Sequence, residues 1–218
     1  MTNEAKIPYL NRAALGYMAG GLCVLYGGIS YWFLGADIHD DPLLKSHHVW
    51  GIVKQINNFP TTLVQCWNIE MAAIAMLVAH YALWKTGEPT GMRRRGLLLL
   101  PLAGSVCHLV VPLFPFPFAP LGTVLNALGM LIVGVAAFRV GLWTGWQRFA
   151  PLGMGLFNFT VQLPLLLVLH TPPYQVIPVW GVFIFLVGLA ARQRAQALGA
   201  FASAVTSPEN SNPQTQAA

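Results

Sequence analysis

Residues 119–143 read APLGTVLNALGMLIVGVAAFRVGLW, and their only charged side chain is Arg139. A helix needs about 20 mostly apolar residues to cross a hydrocarbon core about 30 Å thick, so this stretch predicts a transmembrane helix. Five similar stretches flank it, namely Ala13–Gly35, Thr61–Trp84, Gly96–Phe114, Ala150–Leu169 and Tyr174–Ala191. We therefore predict an all-α, polytopic integral membrane protein with six transmembrane helices, arranged as three helical hairpins.

Charged residues are scarce along the whole chain. Hydrophobic residues make up 56% of it and charged residues 9%, whereas soluble domains carry about a quarter of their residues as charges. The formal net charge of +5 does not come from a basic face with interleaved aromatic residues, so it does not indicate nucleic-acid binding. We expect a lipid bilayer as the main partner and no nucleic acid.

The positions of the basic residues predict the orientation, because Lys and Arg concentrate in cytoplasmic loops. Nine of the 12 Lys and Arg residues precede the first stretch or follow the second, fourth and sixth, and Arg139 lies near the end of the fourth, which places ten on one side. Only Lys45 and Lys54 lie on the other side. We predict an N-in/C-in protein of the bacterial inner membrane whose first helix is not cleaved. Its parts are a cytoplasmic N-terminus (1–12), a transmembrane domain (13–198) with an outer loop (36–60), and a disordered cytoplasmic tail (199–218).

The outer loop is rich in histidine and acid. His39, His47 and His48 lie close to Asp40 and Asp41, and imidazole and carboxylate groups are common metal ligands. The spacing matches no metal motif, and a solvated polar loop also explains these residues. We therefore assign no metal site and leave open whether these histidines bind a metal or haem.

Glu70 is the only acid within a predicted span. It lies about ten residues from the outer end of the second stretch, which at 1.5 Å per residue places it near the middle of the bilayer. Ionisable groups at that depth are costly and usually functional. We expect Glu70 to be protonated at neutral pH unless a cation or His108 pairs with it, and to donate or accept that proton during function. The alternative is a structural carboxylic acid that is hydrogen-bonded to a neighbouring helix.

Other polar side chains interrupt the later stretches. His108 and Gln162 are candidates for a catalytic role beside Glu70, and Pro164 should kink the fifth helix just beyond Gln162. Asn126 and Asn158 each share a helix face with small residues. They could bind a ligand, or they could be hydrogen-bonding groups that join helices.

Aromatic side chains could line the same pocket, and we predict that Trp50, Trp67 and Trp180 form an apolar wall for a ligand. The resulting hypothesis is an intramembrane acid/base site, in an enzyme of isomerase or cyclase type that acts on a lipophilic small molecule such as an isoprenoid or quinone. The alternatives are a proton- or cation-coupled transporter subunit, and an assembly or sensory protein that uses the outer loop. No nucleotide-binding motif is present, and the cofactor and oligomeric state stay unassigned.

Overall fold

The computed structural model describes residues 2–34, 68–111, 113–169 and 176–206, and within these ranges it is helical without any strand. The all-α prediction is confirmed. Three segments of the described part are long and apolar enough to cross a membrane, and these are Pro117–Val140, Gly145–Val168 and Ile177–Ser203. They correspond to the fourth, fifth and sixth predicted spans. The predicted outer loop 36–60 lies outside the described residues.

The helices follow the apolar stretches. The α-helices are α1 Asn3–Leu34, α2 Asn68–Thr86, α3 Leu99–Val110, α4 Pro115–Val140, α5 Phe149–Phe157, α6 Leu163–Leu169 and α7 Ile177–Thr206. Short 3₁₀ turns precede α3 and α5, at Met92–Leu98 and Gly145–Arg148. A π-helical segment, Asn158–Gln162, joins α5 to α6, so these three pieces form one rod.

Two helix ends differ from the predicted boundaries. α1 begins at Asn3, so most of the segment 1–12 is helical. α7 continues to Thr206, which includes the start of the segment predicted to be disordered. Both extensions have the same cause, since Leu10 of α1 and Leu198 of α7 are buried in one apolar cluster that Ile7 packs against. Packing between the two ends therefore lengthens both helices beyond their apolar stretches.

Six rods in the described part form a closed ring. Each rod packs against its neighbours in the chain, from α1 through α2, α3, α4 and α5 to α7, and α7 returns to pack extensively against α1. Small residues allow the close approach. A Cβ atom at Gly181 of α7 would lie 2.6 Å from the backbone nitrogen of Leu25 in α1, so only glycine fits there.

The outside of the ring is apolar. Large hydrophobic side chains are exposed on every rod, and they include Leu15, Leu22, Ile74, Val78, Val106, Leu128, Ile132, Leu156, Phe159, Val179 and Val182. The buried residues include histidine, asparagine, glutamine and glutamate side chains. In soluble proteins such polar groups are mostly exposed.

One end of the ring is held together by a buried carboxylate that the sequence analysis did not single out. Glu88 is fully buried between α2 and α3. Its Oε1 accepts from Lys6 Nζ at 3.5 Å and from Arg194 at 3.4 Å, and its Oε2 accepts from Trp143 Nε1 at 3.1 Å. These four residues, the Glu88 cluster, bring the start of α1, the end of α2, the α4–α5 connection and the last part of α7 to one end of the ring.

Candidate functional site

Polar side chains from four rods are buried in the bundle. We call them the interior polar group, and its members are His108 of α3, Asn126 of α4, Asn158 and Gln162 of the π-helical segment, and Trp180 of α7. Each has a polar atom with no hydrogen-bond partner among the described residues, namely His108 Nε2, Asn126 Oδ1, both amide atoms of Asn158, Gln162 Oε1 and Trp180 Nε1. Buried polar atoms in proteins are nearly always paired, so this concentration calls for a physical explanation.

Close contact between α3 and α4 positions His108 and Asn126. A Cβ atom at Gly104 would lie 2.6 Å from Asn126 Nδ2, and one at Gly122 would lie 3.2 Å from the His108 ring. Asn126 Nδ2 donates to the carbonyl oxygen of Gly122 at 3.2 Å. This bond fixes the amide and leaves its Oδ1 as an acceptor.

The π-helical segment presents Asn158 and Gln162. Pro164 has no N–H to donate to the carbonyl of Thr160, and its ring crowds that carbonyl, so a regular α-helix cannot continue through this region. The structure accommodates the proline with the π-helical segment Asn158–Gln162, which ends just before Leu163. The irregularity predicted beside Gln162 is therefore present. Segments of this kind are frequent at functional sites.

The packing of α5 on α4 sets the level of Asn158. A Cβ atom at Gly155 would lie 2.3 Å from the backbone nitrogen of Leu131, so the two helices touch at this point. The two helices run in opposite directions. At 1.5 Å per residue, Asn158 lies about 5 Å beyond Gly155 along the α5 rod, near the level of Ala127 in α4. Asn158 and Asn126 thus belong to the same layer of the α4–α5 pair.

Trp180 extends the polar group to α7. Its ring lies 6.3 Å from the His108 ring, centroid to centroid, at an interplanar angle of 49°. An indole N–H can only donate a hydrogen bond, and Trp180 Nε1 has no acceptor among the described residues. A molecule that pairs with it must therefore carry an acceptor atom.

A second buried chain of polar groups involves Tyr17, His80 and Ser105. His80 Nδ1 lies 3.1 Å from Ser105 Oγ, and Ser105 Oγ donates to the carbonyl oxygen of Pro101 at 3.2 Å. Since the hydroxyl has one proton, His80 Nδ1 is the donor to Ser105, which leaves Nε2 unpartnered. Tyr17 meets the His80 ring edge to face at 5.2 Å. His80 is fully buried.

Glu70 is not hydrogen-bonded to any member of the interior polar group. It lies in the first turn of the described part of α2, ten residues and therefore about 15 Å from His80 along the helix axis. Its Oε2 is buried without a partner among the described residues, and neither His108 nor a cation pairs with Glu70 there. The predicted wall residues Trp50 and Trp67 lie outside the described residues.

The histidines of the outer loop, His39, His47 and His48, also lie outside the described part of the chain. Within the described ranges no group of three His, Cys, Asp or Glu side chains is arranged to hold a metal ion. Comparison with protein-family models, with curated proteins and with solved structures finds no match for this chain.

The Glu88 cluster is the functional feature that sequence reasoning missed. One signal was available, since Glu88 is the only acid between Glu70 and Glu209 and follows Gly87 in a loop that is otherwise basic. Gly87 and Gly91 both have positive φ, 69° and 82°, and this conformation folds the loop back over the bundle. The cluster joins Lys6 of α1 to Arg194 of α7 through Glu88, and it shares no residue with the interior polar group.

Proposed function

We propose that this chain is a six-span membrane protein that binds a lipophilic small molecule among the residues of the interior polar group. The ligand would be mostly apolar and would carry carbonyl or hydroxyl oxygens, as a quinone or an oxygenated isoprenoid does. The observation that carries the proposal is the pair Asn158 and Trp180, because their amide and indole groups are buried without partners on two different rods.

The membrane placement is supported by the surface of the ring. Exposed apolar side chains occur on all six rods, and three segments have the length and composition of a span. The rods from α1 to α3 complete a closed ring with these segments, so the same environment is proposed for them. A closed ring with an apolar exterior and polar interior residues suits a protein whose solvent is lipid.

The proposed orientation is N-in/C-in, in a bacterial inner membrane. The Glu88 cluster brings Lys6 and Arg194 to one end of the ring. Aromatic rings also accompany the cations there, since Lys85 and Arg95 lie 5.1 and 5.2 Å from the Trp84 ring. Basic residues favour the cytoplasmic face, and aromatic residues favour the membrane interface.

The donors and acceptors of the site define the ligand further. Trp180 Nε1 and Asn158 Nδ2 can donate to oxygens on the ligand, while Asn126 Oδ1 and Gln162 Oε1 can accept from a hydroxyl group. His108 is the protonatable member of the group and lies beside Trp180. If the protein is an isomerase or cyclase, His108 is the proposed proton-transfer residue and Gln162 orients the ligand. Glu70, in the first turn of α2, would exchange protons at that end of the helix.

A proton-coupled transporter is the second candidate, and one observation favours it. Protonatable buried groups occur along the whole length of α2, at Glu70, at His80 and, beyond its end, at Glu88. Such a succession is suited to moving a proton from one end of the ring to the other. Glu70→Gln in proteoliposomes tests this candidate. A proton flux that this variant abolishes supports transport, and unchanged flux excludes a role for Glu70 in it.

The ligand proposal is tested by titrating lipid-stripped protein in detergent with a short-chain benzoquinone. Binding is measured by calorimetry. We expect one saturable site per chain, weakened about tenfold by Asn158→Leu and by Trp180→Phe, which corresponds to the loss of one hydrogen bond of roughly 1.4 kcal/mol. The matched control is Thr160→Val, because Thr160 is exposed in the same segment and bonds its own helix at Leu156. Binding that is not saturable, or equal in all variants, would refute the proposal.

A further inference from the structure

A groove on the outer surface of the ring combines positive charge with apolar side chains. It has a volume of about 490 Å³ and lies between the 3₁₀ turn before α3 and the last turns of α4. Arg93, Arg94 and Arg139 line one part of it, and Ile132 and Val135 line another. It lies on the outside of the ring, apart from the interior polar group.

The three arginines of the groove are exposed. None of them has a carboxylate partner within the described part of the chain. Glu88 is the acid nearest to Arg93 in sequence, and both of its oxygens are already bonded to Lys6, Arg194 and Trp143. Three uncompensated guanidinium groups beside one groove select for an anion, and guanidinium binds phosphate with two parallel hydrogen bonds.

The apolar part of the groove has a direction. Ile132, Val135 and Arg139 are spaced three and four residues apart, so they form a stripe along one face of α4. Leu128, one turn before Ile132, is exposed as well. The stripe therefore extends about 15 Å, from Arg139 at the basic end of the ring to Leu128 near the middle of α4. A phosphate with an attached hydrocarbon chain matches this order of charge and apolar surface.

We propose that this groove binds an anionic phospholipid. Arg93, Arg94 and Arg139 bind the phosphate of the headgroup, and one acyl chain lies along Ile132 and Val135. The proposal rests on the membrane placement given under Proposed function, and it is independent of the ligand in the bundle interior. Basic pockets at the cytoplasmic ends of transmembrane helices are known to bind anionic headgroups.

Native mass spectrometry of the full chain in detergent tests this site. The protein is titrated with phosphatidylglycerol and, separately, with phosphatidylcholine of the same acyl chains. We expect phosphatidylglycerol to bind more tightly to the wild type, with a loss of about fivefold in affinity for each arginine replaced by glutamine at positions 93, 94 and 139. Arg192→Gln is the matched control, because Arg192 is an exposed cation of α7 that does not line the groove.

Gly96 offers a second variant that keeps the charges. It lines the groove, and a Cβ atom there would meet nothing within 4 Å. Gly96→Leu should therefore fold normally and place a side chain beside the groove, which lowers phosphatidylglycerol affinity at unchanged thermal stability. Free glycerol phosphate at the same concentration should not displace the lipid, since it has no chain to contact Ile132 and Val135.

Three results would overturn the proposal. The first is equal affinity for the two lipids. The second is a loss of phosphatidylglycerol affinity in Arg192→Gln that equals the loss in the variants at positions 93, 94 and 139. The third is displacement of the lipid by glycerol phosphate, which would indicate a site for free phosphates. The membrane placement is checked separately by carbonate extraction of cell membranes. Protein released by carbonate contradicts the six-span proposal, whereas retained protein without headgroup preference contradicts only the lipid site.

Discussion

Replacement of Asn158 by leucine should stabilise the ligand-free protein. Asn158 is 1% exposed, and both of its amide atoms lack a partner among the described residues. A buried polar group that is left unpaired costs about 1–3 kcal/mol, and an apolar side chain of similar shape removes that cost. For a chain of this length each kcal/mol corresponds to about 2–4 °C in the unfolding midpoint, so we expect a rise of roughly 2–12 °C.

The stability advantage of Asn158→Leu should shrink when the ligand is present. A ligand at 100 times its Kd stabilises the protein that binds it by about 2.7 kcal/mol. The wild type gains this amount, whereas Asn158→Leu, which lacks the amide that pairs with the ligand and binds about tenfold more weakly, gains about 1.4 kcal/mol. Thermal unfolding of stripped and ligand-loaded protein in one detergent, followed by the loss of helical circular dichroism, measures both differences.

Thr160→Val is the control for the same π-helical segment. Thr160 is exposed and its hydroxyl donates to Leu156 within its own helix at 2.8 Å, so we expect its unfolding midpoint to change by less than that of Asn158→Leu. If Asn158→Leu instead lowers the midpoint of the stripped protein, its amide is bonded within the bundle. The alternative of an asparagine that joins helices would then replace ligand binding.

Three further predictions concern the fold and the topology. Glu88→Gln removes the shared carboxylate from two cations and should lower the free energy of unfolding by about 1–3 kcal/mol, so an unchanged midpoint would show that the cluster contributes nothing. Gly155→Ala forces a Cβ atom against the backbone of α4 and should cost about 1–3 kcal/mol, whereas Gly96→Ala, with open space around it, should be neutral or slightly stabilising in the same assay. A cysteine at Thr171 should react with an impermeant thiol reagent added to intact cells and one at Ser203 should not, and labelling at Ser203 would refute the N-in/C-in topology.

The apolar stretches were sufficient to predict that the described part of the chain is helical. A stretch of about 20 apolar residues has to be helical in lipid, and a polar residue such as Asn126 that follows small residues on one face turns toward a neighbouring helix. The same reasoning anticipated the irregular backbone before Pro164, because the chemistry of proline is local. These predictions needed only the sequence within one helix.

The features that sequence reasoning missed depend on contacts between distant segments. Glu88 is hydrogen-bonded to Lys6, 82 residues away, and to Arg194, 106 residues away. No local sequence pattern predicts contacts between such distant residues. The environment of His80 depends on distant segments in the same way, since its contacts are with Tyr17 and Ser105 on two other helices. The starting point of α1 likewise depends on its packing against the end of α7.

The molecule that co-purifies with the protein provides the most direct test of ligand binding in the bundle interior. Wild type, Asn158→Leu and Thr160→Val are extracted from membranes in the same detergent, and their organic extracts are analysed by mass spectrometry and absorbance. We predict one oxygen-bearing lipophilic molecule per chain in the wild type and in Thr160→Val, and a substoichiometric amount in Asn158→Leu. Extracts that contain only bulk phospholipid, or the same molecule in equal amounts from all three proteins, would contradict a ligand site at the interior polar group.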